Sequence, residues 1–179
     1  MNVREATPDD APGIAAVHVA SWNAAYRGVI ADEALDALTE EGLTREWRAG
    51  IERPDPPAAT VAVLETGGRV DGYARFGPSR DDDLDPSDSA EIYGFYLHPG
   101  RWGRGGGRAL MEHVLSDLGG RGFRTVVLWV VQVNDRAQGF YRALGFAPDG
   151  RDDKLCIGAP EFRYRRELRT RGPHPAALQ

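Results

Sequence analysis
The stretch from Glu91 to Arg108 combines a carboxylate with a glycine-rich segment that could bind an anion. It contains, in order, an apolar strand pattern, a Pro-Gly turn, a glycine loop flanked by arginines, and the start of a helix pattern. Glycines let backbone N–H groups approach a ligand closely, while a helix N-terminus and arginines add positive potential. The stretch therefore predicts a phosphate-bearing cofactor at the loop, with chemistry beside the strand that precedes it.

The glycine loop does not match two well-known phosphate-binding sequences. In nucleoside-triphosphate loops a glycine precedes Lys and a Ser or Thr that holds a metal ion, whereas Gly107 precedes Arg108 and Ala109. In the dinucleotide fingerprint, G-x-G-x-x-G, the third glycine would stand at Arg108. A glycine-rich turn without function remains an alternative, although adjacent glycines that open a helix are entropically costly.

Helix and strand patterns alternate around this loop. Strands are predicted at 3–6, 60–65, 70–76, 90–98, 125–131 and 162–168. Helices are predicted after Thr7 and Ala31, over 44–51, from the glycine loop to Gly119, and from Asn134 to Gly145. The tight turn at 67–68 predicts an antiparallel hairpin, and the strand–helix–strand order that follows predicts parallel pairing. We therefore expect an α/β fold with a mixed, partly parallel central sheet and helices on both faces.

Size and charge favour one globular domain. A chain of 179 residues with 41% hydrophobic residues can bury a sizeable core, which we assign to one domain at 1–168 with a flexible tail at 169–179. The net charge of −5 disfavours nucleic acid and an anionic membrane as partners. Because the sequence shows neither a bilayer-length apolar run nor a signal-peptide pattern, we predict a cytoplasmic location.

Cysteine and histidine spacing predicts neither a disulfide nor a metal site. The chain has one cysteine, Cys156, and its histidines show no spacing typical of metal ligands. An acyl-enzyme on Cys156 is disfavoured because no histidine lies near it in the sequence. The aspartate-rich run at 80–88 is interpreted as a solvated loop, and a cation-attracting rim of the substrate site is the alternative.

Four segments resemble the GCN5-related N-acetyltransferases. The hexad WGRGGG at 102–107 is similar to the family's Q/R-x-x-G-x-G/A loop, although Trp102 replaces the usual Gln or Arg. AEIYGFYLHP at 90–99 looks like the family's fourth strand, and VNDRAQGFYRALGF at 133–146 looks like its Asn-x-x-Ala-x-x-Phe-Tyr-x-x-Leu-Gly-Phe helix. SWNAAYRG at 21–28 is similar to the opening helices of small-molecule members. The resemblance covers residues 1–168.

The resemblance implies an enzyme that moves an acetyl group from acetyl-CoA to a primary amine of a small molecule or peptide, by direct attack in a ternary complex and without a metal ion. It implies that Glu91 is the general base and that Tyr141 protonates the leaving thiolate. The alternatives are that Glu91 only pairs with an arginine or holds the acceptor, and that Tyr141 is a core aromatic beside Phe140. Gly94 suits a bulge that would splay an N–H donor, such as that of Leu97, from its neighbours.

The remaining site residues implied by the resemblance are expected either to bind the cofactor or to line the acceptor pocket. Those expected to bind the cofactor are Phe95, Tyr96 and Leu97 at the pantetheine arm, Trp102, Gly103, Arg104, Gly105, Gly106, Gly107 and Arg108 at the pyrophosphate, and Asn134 beside them. Trp22 and Tyr26 are expected to line the acceptor pocket, although core packing explains Trp22 equally well.

The acceptor and two other functions stay open at this point. The acidic composition and the 81–88 run favour a cationic acceptor such as a polyamine or aminoglycoside. A non-catalytic acyl-CoA-binding sensor would keep the same loop, although the presence of Glu91 and Tyr141 argues against it. A nucleotide-dependent enzyme lacks the required hydroxyl and third glycine. The resemblance also suggests a homodimer, which no feature of the sequence demands.

Overall fold
Eight strands form the sheet in the computed structural model, which describes residues 1–168. The strands are β1 (Asn2–Glu5), β2 (Thr60–Thr66), β3 (Arg69–Pro78), β4 (Ser89–Leu97), β5 (Thr125–Val131), β6 (Ala147–Pro148), β7 (Leu155–Cys156) and β8 (Ala159–Glu167). The helices are α1 (Ala11–Tyr26), α2 (Asp32–Asp36), α3 (Glu40–Glu52), α4 (Gly106–Gly120) and α5 (Asp135–Ala143), with 3₁₀ turns at Pro8–Asp10 and Pro99–Arg101. None of these helices is both long and apolar enough to cross a membrane.

The sheet is mixed, as predicted. Its strand order is β1-β2-β3-β4-β5-β8-β6, and β7 pairs with β8. Strands β4 and β5 pair in parallel across the α4 crossover, whereas the other pairs are antiparallel. The hairpin at 67–68 accounts for the antiparallel β2–β3 pair.

Helices cover both faces of the sheet because side chains alternate along each strand. On β2, Ala62 and Leu64 belong to the core that includes Leu110 and Met111 of α4. The intervening Val61 and Val63 belong to a second core with α1, and Trp47 of α3 packs against it. The predicted α/β fold with helices on both faces is therefore confirmed.

Strands β4 and β5 separate along their length, and this separation creates the site. They pair only from Ser89 to Ile92 on β4 and from Thr125 to Leu128 on β5, although β4 continues to Leu97 and β5 to Val131. A bulge lies on β4 at the same point, since Ile92 pairs with Phe76 and Gly94 with Arg75, which leaves Tyr93 as the additional residue. The edge of β4 beyond the bulge faces a gap instead of β5.

The interpretation of 80–88 as a solvated loop is wrong for Asp81. Its side chain is fully buried and forms ion pairs with Lys154 and Arg163, which come from the far end of the chain. Asp82 is exposed, as predicted. Asp81 therefore joins the 80–88 run to β8 through Arg163, and it is not available to attract a cationic substrate.

Two smaller predictions concern the end of the chain. The last strand begins at Ala159, three residues before the predicted start, and the two-residue strands β6 and β7 were not predicted. Such short strands carry no alternation that a pattern could reveal. The predicted tail at 169–179 lies outside the described residues.

Candidate active site
A cavity of about 1110 Å³ opens where β4 and β5 separate. The predicted site residues in its wall are Trp22, Tyr26, Glu91, Phe95, Tyr96, Leu97, Trp102, Gly103, Gly105, Gly107, Arg108, Asn134 and Tyr141. Arg104 is exposed beside the cavity, and Gly106 is buried beneath it against Leu64. We call the part near the glycine loop the cofactor end, and the part near α1 and the 154–161 segment the acceptor end.

The glycine loop exposes backbone N–H groups at the cofactor end. Gly103 and Gly105 have φ values of +72° and +83°, a region that other residues rarely adopt. Gly105 precedes α4, whose first bond runs from the Ala109 N–H to the Gly105 carbonyl at 3.1 Å. The N–H groups of 106–108 therefore have no acceptor within the helix and can bind an anion.

Two glycines of the loop serve packing. A Cβ atom on Gly106 would lie 2.6 Å from Leu64 Cδ2, and one on Gly107 would lie 3.2 Å from the Phe140 ring. Real Cβ atoms essentially never approach a heavy atom as closely as the first of these distances. The absence of side chains at these positions brings α4 close to the sheet and to α5, so the helix N-terminus lies at the mouth of the gap.

Trp102, the residue that departs from the family loop, ties the loop to β4. Its indole N–H donates to the Leu97 carbonyl at 3.0 Å, and the Arg136 guanidinium lies 4.6 Å from its ring centroid. An indole can make this bond because it carries an N–H donor on a large apolar body. The tryptophan therefore fixes the position of the loop relative to the strand end.

The backbone of β4 presents alternate residues to the gap. The His98 N–H bonds to the Asp71 carbonyl of β3 at 2.9 Å, so the alternation along an antiparallel pair directs Tyr96 toward β3 as well. The backbone groups of Phe95 and Leu97 consequently face the gap. Of the three residues predicted to contact a cofactor through the backbone, Tyr96 is the one whose backbone groups face away from the gap. Its ring stacks near His18 on the α1 side.

Glu91 is held by Arg80. Glu91 is 2% exposed. Its carboxylate oxygens accept hydrogen bonds from Arg80 Nη2 at 2.7 Å, Arg80 Nε at 3.1 Å and the Arg80 backbone N–H at 3.1 Å. The Arg80 guanidinium also lies 4.1 Å from the centroid of the Tyr93 ring. The alternative that Glu91 pairs with an arginine is therefore observed. The sequence did not reveal Arg80 as the partner of Glu91, because Arg80 belongs to the run that was interpreted as a solvated loop.

Tyr141 combines core packing with a position in the cavity wall. Its ring centroid lies 5.5 Å from that of Phe140 and 6.0 Å from that of Phe146. Burial raises the pKa of the Tyr141 phenol above its usual value, and the neighbouring Tyr26 and Glu161 raise it further. The hydroxyl therefore keeps its proton at neutral pH and can serve as a donor.

Residues 18–146 match the model of the acetyltransferase (GNAT) family. The chain belongs to this family. It is 31% identical over 134 residues to YuaI, an uncharacterized N-acetyltransferase of Bacillus subtilis, with 75% of this chain and 73% of the relative covered. It is 29% identical over 161 residues to a probable N-acetyltransferase of Mycobacterium tuberculosis, with 84% and 82% covered. The predicted family is confirmed, and the protein is an acetyltransferase.

Solved structures support the same fold. The PaiA N-acetyltransferase of Thermoplasma acidophilum, in complex with coenzyme A, has a TM-score of 0.73 and 17% identity and covers 93% of this chain and 98% of its own. The yncA structure of Salmonella typhimurium, with its cofactor acetyl-CoA, has a TM-score of 0.70 and 21% identity and covers 99% of each chain. At this identity the likeness concerns the fold.

Asn134 of this GNAT protein caps α5 beside the cofactor end. Its side-chain oxygen accepts the Ala137 N–H at 3.1 Å, which is the role of an N-cap residue. The side chain also forms part of the cavity wall. The position is therefore compatible with both the plain cap and the predicted cofactor contact.

Aromatic residues of α1 form one wall of the acceptor end of the GNAT cavity. The rings of Trp22 and Tyr26 meet edge to face, with their centroids 5.4 Å apart, and both lie in the cavity wall. Burial raises the pKa of Tyr26 to about 12, so its phenol is neutral in the physiological range. Behind them, burial lowers the pKa of His18 to about 4, and the Tyr73 hydroxyl lies 3.0 Å from His18 Nδ1. This wall is aromatic and carries no charge at neutral pH.

A second part of the wall at the acceptor end comes from the 154–161 segment, which the sequence patterns did not assign to the site. It contributes Lys154, Cys156 and Glu161. Burial raises the pKa of the Cys156 thiol to about 11, with a contribution from Glu161, so the thiol stays protonated and is a poor nucleophile. No sequence signal marks this wall, because its position depends on how β8 pairs with β5.

Proposed function
We propose that this acetyltransferase uses acetyl-CoA and transfers the acetyl group to a primary amine of a small molecule or peptide by direct attack in a ternary complex. The observation that carries the proposal is the gap between β4 and β5, which connects the glycine loop to the aromatic acceptor end within one cavity. Two reactants can meet there, since each end offers a distinct chemical surface. Related proteins of the same fold have been solved with coenzyme A or acetyl-CoA.

The residues of the cofactor end fit acetyl-CoA. The N–H groups at 103–108 suit a pyrophosphate, and the cations of Arg104 and Arg108 lie on the exposed side of the loop. The backbone groups of Phe95 and the Leu97 N–H face the gap, where they suit an amide-bearing arm. When bound, acetyl-CoA supplies the thioester that an amine can attack.

Two side chains are proposed to move protons. An alkyl amine is mostly protonated at neutral pH and must lose a proton before it can attack. We propose that Glu91 removes this proton from the amine. It would do so through a water molecule, because Arg80 already binds both carboxylate oxygens. Tyr141, which keeps its proton, would then protonate the departing thiolate.

The test measures free thiol release and the acetylated product with a panel of primary amines, and measures acetyl-CoA binding separately. Wild-type protein is expected to turn over at least one amine. Glu91→Gln is expected to bind acetyl-CoA normally and to lower kcat by roughly 100-fold, as for loss of a general base. Undiminished activity of Glu91→Gln across pH would remove Glu91 from this role.

Two other outcomes separate the alternatives. Tight acetyl-CoA binding without turnover of any amine would indicate the acyl-CoA sensor. Stabilisation by a nucleoside triphosphate, with no effect of acetyl-CoA on the melting temperature, would indicate a nucleotide-dependent protein.

A further inference from the structure
The charged groups of the acceptor end are paired except for one carboxylate. Arg80 is bound to Glu91, and the Lys154 ammonium is bound to the buried Asp81. Within residues 1–168, the Glu161 carboxylate forms neither a side-chain hydrogen bond nor an ion pair, although it lies in the cavity wall. At this end of the cavity, Glu161 is therefore a carboxylate that no direct ion pair holds within the described residues.

The register of the sheet places Glu161 level with the segment of β4 that faces the gap, two strands away from it. Glu161 pairs with Val131 of β5, and Glu91 pairs with Val127 of the same strand. Because paired residues share a face and side chains alternate, Glu161 lies on the same face of the sheet as Glu91, the face that α1 covers. If β4 had stayed paired, Phe95 would stand next to Val131, level with Glu161.

The lateral distance argues for contact with a remote part of the acceptor. Strand β8 lies two strand spacings from the paired part of β4, which amounts to roughly 10 Å between backbones. The thioester is proposed to lie along the gap-facing edge of β4, so the nitrogen that attacks it must be near that strand. A group bound at Glu161 is then a separate part of the same acceptor, joined to the reacting nitrogen by a short chain.

The surroundings of Glu161 favour a cation. Burial raises the pKa of its carboxyl, Lys154 opposes the shift, and Glu91 reinforces it. A bound cation would offset the cost of keeping this half-buried carboxylate ionised. The aromatic rings of Trp22 and Tyr26 stand at the same end, and such rings attract ammonium groups through their faces. The Lys154 ammonium already makes this contact with Trp129, at 4.6 Å from the ring centroid.

We propose that Glu161 binds a second, protonated nitrogen of the acceptor, so that the substrate is a short diamine whose other nitrogen receives the acetyl group. This inference rests on the proposed acetyl transfer and deepens it. Glu161 lies outside residues 18–146, the part that matches the family model, so it is a feature that can select an acceptor for this chain. The carboxylates at Asp81 and Asp83 do not compete for the cation, because both are paired with arginine or lysine.

The experiment compares straight-chain diamines of three to six carbons with the monoamine of the same length. In the wild type, kcat/KM is expected to favour the diamine by roughly 10-fold to 100-fold, the value of a hydrogen-bonded charge pair. Glu161→Gln is expected to raise KM for the diamine by the same factor, while kcat, the KM for acetyl-CoA and the activity toward monoamines stay unchanged. Glu161→Asp, which keeps the charge, is expected to retain part of the preference.

The control is Glu167→Gln, which removes a carboxylate from the exposed end of β8 and is expected to change neither substrate's kinetics. Equal losses of kcat for diamines and monoamines in Glu161→Gln would overturn the inference in favour of a proton-transfer role. If the wild type acetylates amines without preferring diamines, the inference about Glu161 is wrong, whereas the proposed acetyl transfer stands. This comparison does not depend on whether a variant folds. Absence of turnover with every amine would overturn the proposed function and this inference together.

Discussion
The cofactor end and the acceptor end of the cavity are built from different parts of the chain. At the cofactor end, Gly103 and Gly105 adopt positive φ and the first turn of α4 presents backbone N–H groups. At the acceptor end, side chains from α1, the 80–88 run and the 154–161 segment meet, and ion pairs such as Arg80–Glu91 and Lys154–Asp81 neutralise most of their charge. A backbone cradle suits a ligand shared by a family, whereas we propose that acceptor choice depends on the side-chain charge that stays unpaired.

The largest effect on activity is expected from Gly105→Val, which tests whether the cofactor end depends on backbone geometry. A β-branched residue at φ +83° is strained, and relief of this strain would move the backbone N–H groups of the loop out of position. Loss of two charge-assisted hydrogen bonds would weaken acetyl-CoA binding by roughly 1,000-fold. Isothermal titration calorimetry measures the affinity.

Gly67→Val is the matched control for Gly105→Val. Gly67 also has a positive φ, +60°, and a Cβ atom there would meet no heavy atom within 4 Å, but it lies in the β2–β3 hairpin away from the cavity. Both variants are expected to lose about 1–2 kcal/mol of folding stability from the strained backbone. Only Gly105→Val should lose acetyl-CoA binding. Equal affinities in the two variants would contradict a backbone cradle at 103–108.

An intermediate effect is expected from Tyr141→Phe, which removes a hydroxyl between the two ends. If the phenol protonates the thiolate, kcat falls by roughly 100-fold and acetyl-CoA affinity stays unchanged. A general acid works in its protonated form, and the raised pKa keeps Tyr141 protonated where an ordinary tyrosine would ionise. The wild-type kcat should therefore show no loss from this group between pH 7 and about 10.

Tyr164→Phe controls for the removal of a buried tyrosine hydroxyl. The Tyr164 hydroxyl donates to Gln138 Oε1 at 3.1 Å within the core that α4 and α5 cover. This variant is expected to lose stability and to keep its kcat. A fall in kcat of the same size in both variants would mean that Tyr141 acts through packing.

The same difference between the two ends decides what could be predicted from the sequence. The cofactor end depends on glycines adjacent in the chain and on a strand-to-helix order, both of which are local patterns. The acceptor end depends on pairs distant in the chain: Arg163 and Asp81 are separated by 82 positions. Such pairs follow from sheet register, which the sequence pattern does not specify. For the same reason, the pattern identified neither Arg80 as the partner of Glu91 nor Glu161 as a wall of the cavity.

The smallest effect on activity is expected from Asp81→Asn, which tests whether the acceptor end is held together by its ion pairs. The Asp81 side chain is fully buried and accepts from Arg163 Nη1 at 3.0 Å and Trp129 Nε1 at 3.1 Å in addition to its pair with Lys154. Removing the charge of Asp81 leaves Lys154 and Arg163 partly unpaired and should cost about 2 kcal/mol of folding stability. Urea unfolding measures the loss.

Asp82→Asn is the matched control, because Asp82 is the next residue in the same run and its side chain is 90% exposed. Its unfolding midpoint is expected to equal that of wild type. Activity toward a monoamine should survive in both variants, since neither residue contacts the gap. If Asp82→Asn destabilises the protein as much as Asp81→Asn, the run stabilises the fold through its overall charge rather than through the buried pair. The acceptor end would then owe its shape to something other than specific ion pairs.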